Sequence, residues 1–159
     1  MSTSDFNSQV IAEFRANDGV VGGMFAGAPI LLLHHTGAKS NRSYVTPLVY
    51  RKDGGDYVIF ASKAGAPTNP DWYHNLKAHP EVTIEVGSAT VPVAASEAEG
   101  DRRERLYAEQ VDDMPTFGDY QAKAGRLIPV IVLTPSGQSV TAAVNGVRVR
   151  RSGIERPDA

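Results

Sequence analysis

The stretch SYVTPLVYRKDGGDYVIFAS, residues 43–62, decides the fold. Two runs rich in Val, Ile and Tyr flank Asp53-Gly54-Gly55, and glycines between such runs mark a tight β-hairpin. Strands joined this closely run antiparallel, because a parallel return needs a crossover of a dozen residues or more. SYVTPLVYR (43–51) and DYVIFAS (56–62) are the two strands of this hairpin. Upstream, ILLLHH (30–35) reads as a buried strand. Downstream, EVTIEV (81–86) and ATVPVAA (89–95) alternate apolar and polar around the two-residue turn Gly87-Ser88, a second hairpin. LIPVIVL (127–133) is apolar on both faces and reads as a central strand. Pro47 and Pro92 cannot donate to a ladder, so each marks an edge or a bulge.

Helices interrupt this series without alternating with it. SDFNSQVIAEFRAN (4–17) puts Phe6, Val10, Ile11 and Phe14 on one helical face, which packs on the domain or lies on a membrane surface. NPDWYHNLKAH (69–79) starts with Asn69 as the cap and Pro70 at the first helical position. EGDRRERLYAEQV (99–111) is a charged helix with Leu106 and Val111 as its thin apolar side, and a short helix is expected over 116–124. The fold class is therefore α+β, mainly β: about six antiparallel strands closing into a small barrel, with inserted helices. Residues 1–27 form an N-terminal helix and linker, 28–135 the barrel domain, and 136–159 a polar, partly disordered tail in which Asn145-Gly146 marks a weak extra hairpin.

Bulk composition narrows the function classes. A chain of 159 residues points to one domain. The absence of cysteine excludes a disulfide scaffold, a thiol nucleophile and a Cys-based metal site, and it fits a reducing compartment. Lys and Arg number 16 against 18 Asp and Glu, so the basic excess of a nucleic-acid binder is missing. The N-terminus lacks a basic region followed by an apolar one, and the longest apolar run, APILLL, is too short to span a bilayer. A cytoplasmic location is the expectation. His34-His35 are strand neighbours that point to opposite faces, so no metal site is expected. The RRER run (102–105) and the VRVRR run (147–151) read as solvated surface, the latter with acidic lipid or a partner as its alternative.

Two segments carry candidate chemistry. HHTGAKSNRSY (34–44) concentrates Lys39, Ser40, Arg42 and Ser43 at a turn between strands. It lacks the spacing of a nucleotide P-loop, since Ala38 separates Gly37 from Lys39 and a strand, not a helix, follows. Its cations, hydroxyls and free N–H groups still suit an anion, and a solvated hairpin tip is the alternative. FASKAGAPTNPDWYHN (60–75) brings Ser62 and Lys63 at a strand end before a helix N-terminus bearing Trp72 and Tyr73. Either this is a platform for a planar anionic cofactor, or Trp72 and Leu76 are core packing.

Taken together, TGAKSNRSYVTPLVY, ASKAGAPTNPDWYHNLKAHPEV and PTFGDYQAKAGRLIPVIVLTP resemble the deazaflavin-dependent nitroreductase family, which uses coenzyme F420. The resemblance runs over about residues 28–135, with three motifs in the same order and spacing. It implies a split β-barrel and an F420-dependent reductase passing a hydride to a quinone, enone or nitro acceptor. It implies that Ala38, Lys39 and Ser40 hold the cofactor phosphate, and that Tyr44, Val45, Thr46, Pro47, Leu48 and Val49 line the deazaflavin ring with backbone groups. Phe60, Ala61, Ser62, Lys63, Asp71, Trp72, Tyr73, His74 and Asn75 match further cofactor-contacting positions. PTFGDYQ matches a segment covering the substrate side, with Phe117 beside the cofactor. Ser62 or Tyr120 would donate a hydrogen bond or proton to the acceptor oxygen. Met114 and Phe117 stand where relatives often carry tyrosine, which puts nitro-compound reduction in question. The competing readings are an FMN-binding split-barrel oxidoreductase, a deazaflavin carrier without turnover, and a small-barrel nucleic-acid binder. The expected partner is a small-molecule electron acceptor, with no nucleic acid, membrane-surface association only through the first helix, and a monomeric or homodimeric assembly.

Overall fold

The computed structural model describes residues 3–22 and 27–136. In chain order its elements are α1 (Thr3–Ala16), β1 (Ile30–Thr36), β2 (Ser43–Asp53), β3 (Asp56–Phe60), α2 (Asp71–Ala78), β4 (Glu81–Val86), β5 (Ala89–Ala98), α3 (Gly100–Asp113), α4 (Thr116–Ala124) and β6 (Val130–Pro135). A 3-10 turn, Lys63–Gly65, follows β3. All strand pairs are antiparallel, and the order β1-β2-β3-β6-β5-β4 closes on itself as a barrel. The Gly54-Gly55 hairpin pairs Tyr50 with Ile59 and Asp53 with Asp56. The Gly87-Ser88 hairpin pairs Val86 with Ala89.

The alternation of side chains along each strand sorts the apolar residues into three cores. Leu31, Leu33, Ile59, Ile84, Val93, Ile131 and Leu133 fill the barrel, together with Trp72 and Leu76 from α2. The opposite faces of β3 and β6, with Val58, Phe60, Val130 and Val132, are covered by α3 and α4 through Leu106, Tyr107 and Phe117. The outward Ile30 and Leu32 of β1 receive Val10 and Phe14 of α1. The N-terminal helix thus packs on the barrel, as one of its two sequence readings required.

The barrel is closed, yet it is not paired evenly. Residues 43–49 of β2 pair with β1, whereas pairing to β3 begins only at Tyr50. Pro47 lies in that one-sided half, where a missing N–H breaks no second ladder. Pro92 likewise precedes the point where β5 joins β6.

Four local readings change. Asn69 does not cap α2; Pro70 occupies the cap position without a side-chain cap bond, and Asn69 Oδ1 instead accepts from Arg126 Nη1. The strand read as 127–133 runs from Val130 to Pro135, because Pro129 has no N–H to pair and Ile128 gives its backbone groups to Gln121 and Arg103 side chains. The strand read as 56–62 ends at Phe60, where the chain bends into the 3-10 turn. Within RRER, Arg103 is buried, donating to the Ile128 carbonyl and Gln121 Oε1, while Arg102 and Arg105 reach Asp53. The expected Asn145-Gly146 hairpin, the VRVRR run and the polar tail lie outside the described residues. Among the described residues no helix is long and apolar enough to cross a membrane.

Candidate active site

The turn between β1 and β2 is built by its own backbone. Gly37 N–H donates to Arg42 O (2.8 Å), Asn41 N–H returns to Gly37 O (3.0 Å), and Arg42 N–H is held by Ser40 Oγ (3.2 Å). Asn41 takes a left-handed conformation, φ 59°, which Asn tolerates better than most residues. A Cβ on Gly37 would displace the Ser40 hydroxyl that holds Arg42 N–H and would sit 3.2 Å from the Tyr44 ring. Ala38 N–H donates to Asn75 Oδ1 (2.9 Å), which ties the turn to α2. Lys39 and Ser40 remain exposed at the tip.

This turn forms one end of a cleft of about 1030 Å³. Ala38, Lys39 and Ser40 lie at the turn, Tyr44, Val45 and Thr46 along the one-sided half of β2, and Asp71, Trp72, His74 and Asn75 on α2. Residues more than thirty positions apart therefore face one space. Trp72 is buried at 6% exposure against the barrel core, as its core-packing reading has it, and it also lines the cleft. The cleft also takes Asn7, Ser8 and Ile11 from α1, and His35 from β1, none of which the sequence reading selected. Ile11 belongs to the apolar face of α1, and the docking of that helix on the barrel brings it to the cleft.

The remaining candidates sit elsewhere. Pro47 is buried; Leu48 packs on the barrel core and Val49 between the two outer cores. Ala61 is buried in the barrel. Tyr73 turns away from the cleft to donate its hydroxyl to Glu97 (2.8 Å). Phe60 and Phe117 pack edge to face at 5.7 Å, and Phe117 meets Tyr120 at 5.2 Å. Ser62 is buried and leads into the 3-10 turn, where Lys63 and Ala64 both have positive φ. That turn packs on α4 so closely that a Cβ on Gly65 would stand 3.2 Å from the Tyr120 backbone. Ser62 and Tyr120 therefore belong to neighbouring elements. Met114 lines a second cavity of about 590 Å³ with Tyr50, Arg51, Gln110 and Asp113. Arg51 bonds Gln110 and Asp113 there, while its Nε is buried without a hydrogen-bond partner.

Arg126 was not selected from sequence, where an arginine after a glycine gives no signal. It donates to the carbonyls of Ala61 (3.2 Å), Ser62 (3.3 Å), Ala66 (3.1 Å) and Thr68 (2.9 Å), pinning the whole β3–α2 connection. Tyr107 plays a similar part for α4. Its hydroxyl donates to Phe117 O (2.7 Å), and burial pushes its pKa up to about 12.

Buried polar groups organise the cleft floor. His35 Nε2 meets Thr46 Oγ1 at 2.9 Å, its Nδ1 meets Asn75 Nδ2 at 2.9 Å, and its ring stacks on Tyr44 with centroids 5.5 Å apart. Burial, with the neighbouring His34 adding to it, pulls the His35 pKa down to about 4, against a smaller upward pull from Asp71. His34 points to the other face, toward Glu85 Oε2 (2.6 Å). Glu85 also receives Arg15 of α1 (2.7 Å), and that guanidinium is the main reason its carboxyl titrates below the usual range.

The arrangement suits a particular ligand chemistry. Lys39, Ser40 and the turn offer charge and donors to an anionic group. The unpaired side of β2 offers backbone donors and acceptors to a planar ring. The cleft volume lies at the upper end of typical ligand sites, as an elongated cofactor requires.

Comparison with known proteins gives a consistent result. The family model for F420H(2)-dependent quinone reductase matches residues 7–135. An F420H(2)-dependent quinone reductase of Mycobacterium tuberculosis is 41% identical over 127 residues, covering 77% of this chain and 85% of its own. Among solved structures, an F420-H2 dependent reductase is 40% identical with a TM-score of 0.61, over 66% of this chain and 93% of that one. Another, described as a domain-swapped dimer, is 37% identical with a TM-score of 0.63, over 83% of this chain and 99% of that one.

Proposed function

The chain belongs to the F420H(2)-dependent quinone reductase family, and from that premise we propose that it transfers a hydride from reduced F420 to a quinone. The observation that carries the reading is the single cleft joining the Ala38–Ser40 turn, the unpaired half of β2 and the face of α2. The reduced deazaflavin supplies the hydride, and the acceptor becomes a hydroquinone after taking up a proton.

The protein's part is binding, orientation and charge. Lys39 and Ser40 hold the phosphate with their side chains and their own backbone N–H groups. The β2 edge at Tyr44–Thr46 aligns the ring, and Trp72, His74 and Asn75 close the side toward α2. The connection from Phe60 to Lys63, pinned by Arg126, and the α4 segment with Phe117 and Tyr120 flank the acceptor. Ser62 or Tyr120 donates a hydrogen bond to the acceptor oxygen as negative charge develops there. Proximity in a stacked complex supplies much of the acceleration. A two-copy assembly is the expectation that the swapped dimer of one relative suggests, and light scattering on the purified protein checks it.

Fluorescence titration with oxidised F420, with flavin mononucleotide in parallel, tests the cofactor. Saturable binding of F420 and turnover of its reduced form with a quinone are expected. Preference for flavin mononucleotide would overturn the cofactor assignment. Tight F420 binding without oxidation by any quinone or enone would make the protein a carrier.

A further inference from the structure

The hydrogen bonds on the cleft floor have only one consistent direction. Ala38 N–H is a backbone amide and can only donate, so the Asn75 atom facing it is the carbonyl Oδ1. Asn75 must then present its NH2 to His35, whose Nδ1 accepts with its lone pair. A neutral imidazole with Nδ1 bare carries its proton on Nε2, and that proton points at Thr46 Oγ1. Reversing any member sets two donors face to face at 2.9 Å inside a buried site, where an unpaired polar group is costly. The low pKa of His35 keeps it in the neutral form that the chain of bonds needs.

Thr46 Oγ1 accepts a hydrogen bond from His35 Nε2–H, so its own hydroxyl proton must point elsewhere. Among the described residues it has no other partner, and Thr46 lines the cleft. We propose that His35 is a positioning residue which, held by Asn75, turns the Thr46 hydroxyl into a fixed hydrogen-bond donor to a carbonyl oxygen of the ring bound along β2. Asn75 thereby couples two ends of one ligand: its carbonyl sets the phosphate-side turn through Ala38, and its amide orients the ring-side donor through His35. The proposal rests on the F420 reading above.

The test combines a ligand-free measurement with titrations. In the free protein, ¹⁵N NMR of His35 at neutral pH is expected to show a protonated Nε2 and a bare Nδ1; a protonated Nδ1 overturns the proposal. In fluorescence titrations with oxidised F420, Thr46→Val is expected to weaken binding on the order of tenfold. Thr46→Ser should restore affinity. His35→Gln keeps an acceptor toward Asn75 and a donor toward Thr46, so it should bind more tightly than His35→Leu. The double variant His35→Leu/Thr46→Val should bind no worse than the weaker single variant, because both remove the same donor. If wild type binds F420 and Thr46→Val binds equally well, the donor role falls while the cofactor reading stands. If wild type binds no F420, both fall. If the double variant loses the product of the single effects, His35 acts on the fold rather than through Thr46.

Discussion

Between an unfolded imidazole near pKa 6.5 and a folded His35 near 4, acid must destabilise this protein. The unfolded chain takes up the proton first as pH falls. The contribution is therefore intact above about 6.5, declines through that window, and is lost below about 4. Thermal melts from pH 7 to 4 should show this decline, and His35→Gln should flatten it; an unchanged slope in the variant would place the acid sensitivity elsewhere. Lys39 makes a different prediction. Lys39→Ala should weaken F420 binding and reduce its salt dependence, since an exposed cation acts mainly through screened charge. Tyr120→Phe should lower turnover with quinone while leaving F420 affinity nearly unchanged; equal loss of both would remove Tyr120 from the acceptor side. At this scale the residue types of the turn were legible in the sequence, because cations and hydroxyls beside glycine state their chemistry locally. The His35–Asn75–Thr46 chain was not, since its members stand up to forty positions apart and a strand histidine has no local mark.

The β3–α2 connection shows how one side chain can hold an element that lacks regular structure. Arg126 donates to the carbonyls of Ala61, Ser62, Ala66 and Thr68, of which Ser62 O also accepts from Gly65 N–H in the 3-10 turn. Arg126→Ala should cost about 2–4 kcal/mol, since several charge-assisted hydrogen bonds vanish and leave partly buried carbonyls unpaired. Lysine should rescue little, because a single ammonium cannot span that fork of acceptors. Hydrogen exchange should rise over residues 61–69 before it rises in the barrel strands. A uniform rise would mean that Arg126 supports the fold as a whole. The helix and strand types were readable from periodicity and turn residues, whereas their ends were not. Asn69 looked like a cap because of its residue type and the proline after it, but Arg126 competes for its side chain. The strand expected at 127 begins at Val130 because Gln121 and Arg103 claim the backbone of Ile128.

Across the whole molecule, barrel closure makes the interior strands one cooperative unit. Leu33, fully buried between β2 and β4 partners, should cost about 2–5 kcal/mol when cut to alanine, with the entire barrel melting together. Phe14→Ala should instead loosen α1 first, weakening F420 binding through the Asn7–Ile11 wall; denaturation followed by a barrel probe and an α1 probe separates the two. The sequence by itself determined the antiparallel hairpins, the inserted helices and the cationic, hydroxyl-rich turn between β1 and β2. Each of these is written in neighbours: glycine pairs, alternating apolar residues, a proline at a helix start. It also marked β2 at Pro47 as carrying an edge or a bulge, because proline cannot donate to a second ladder. Only the tertiary structure decided which half of β2 stays unpaired, that α1 walls the cleft, and which way the buried hydrogen bonds run. Those outcomes depend on strands and helices distant in the chain meeting, and the energy of such contacts appears only once the barrel has closed around them.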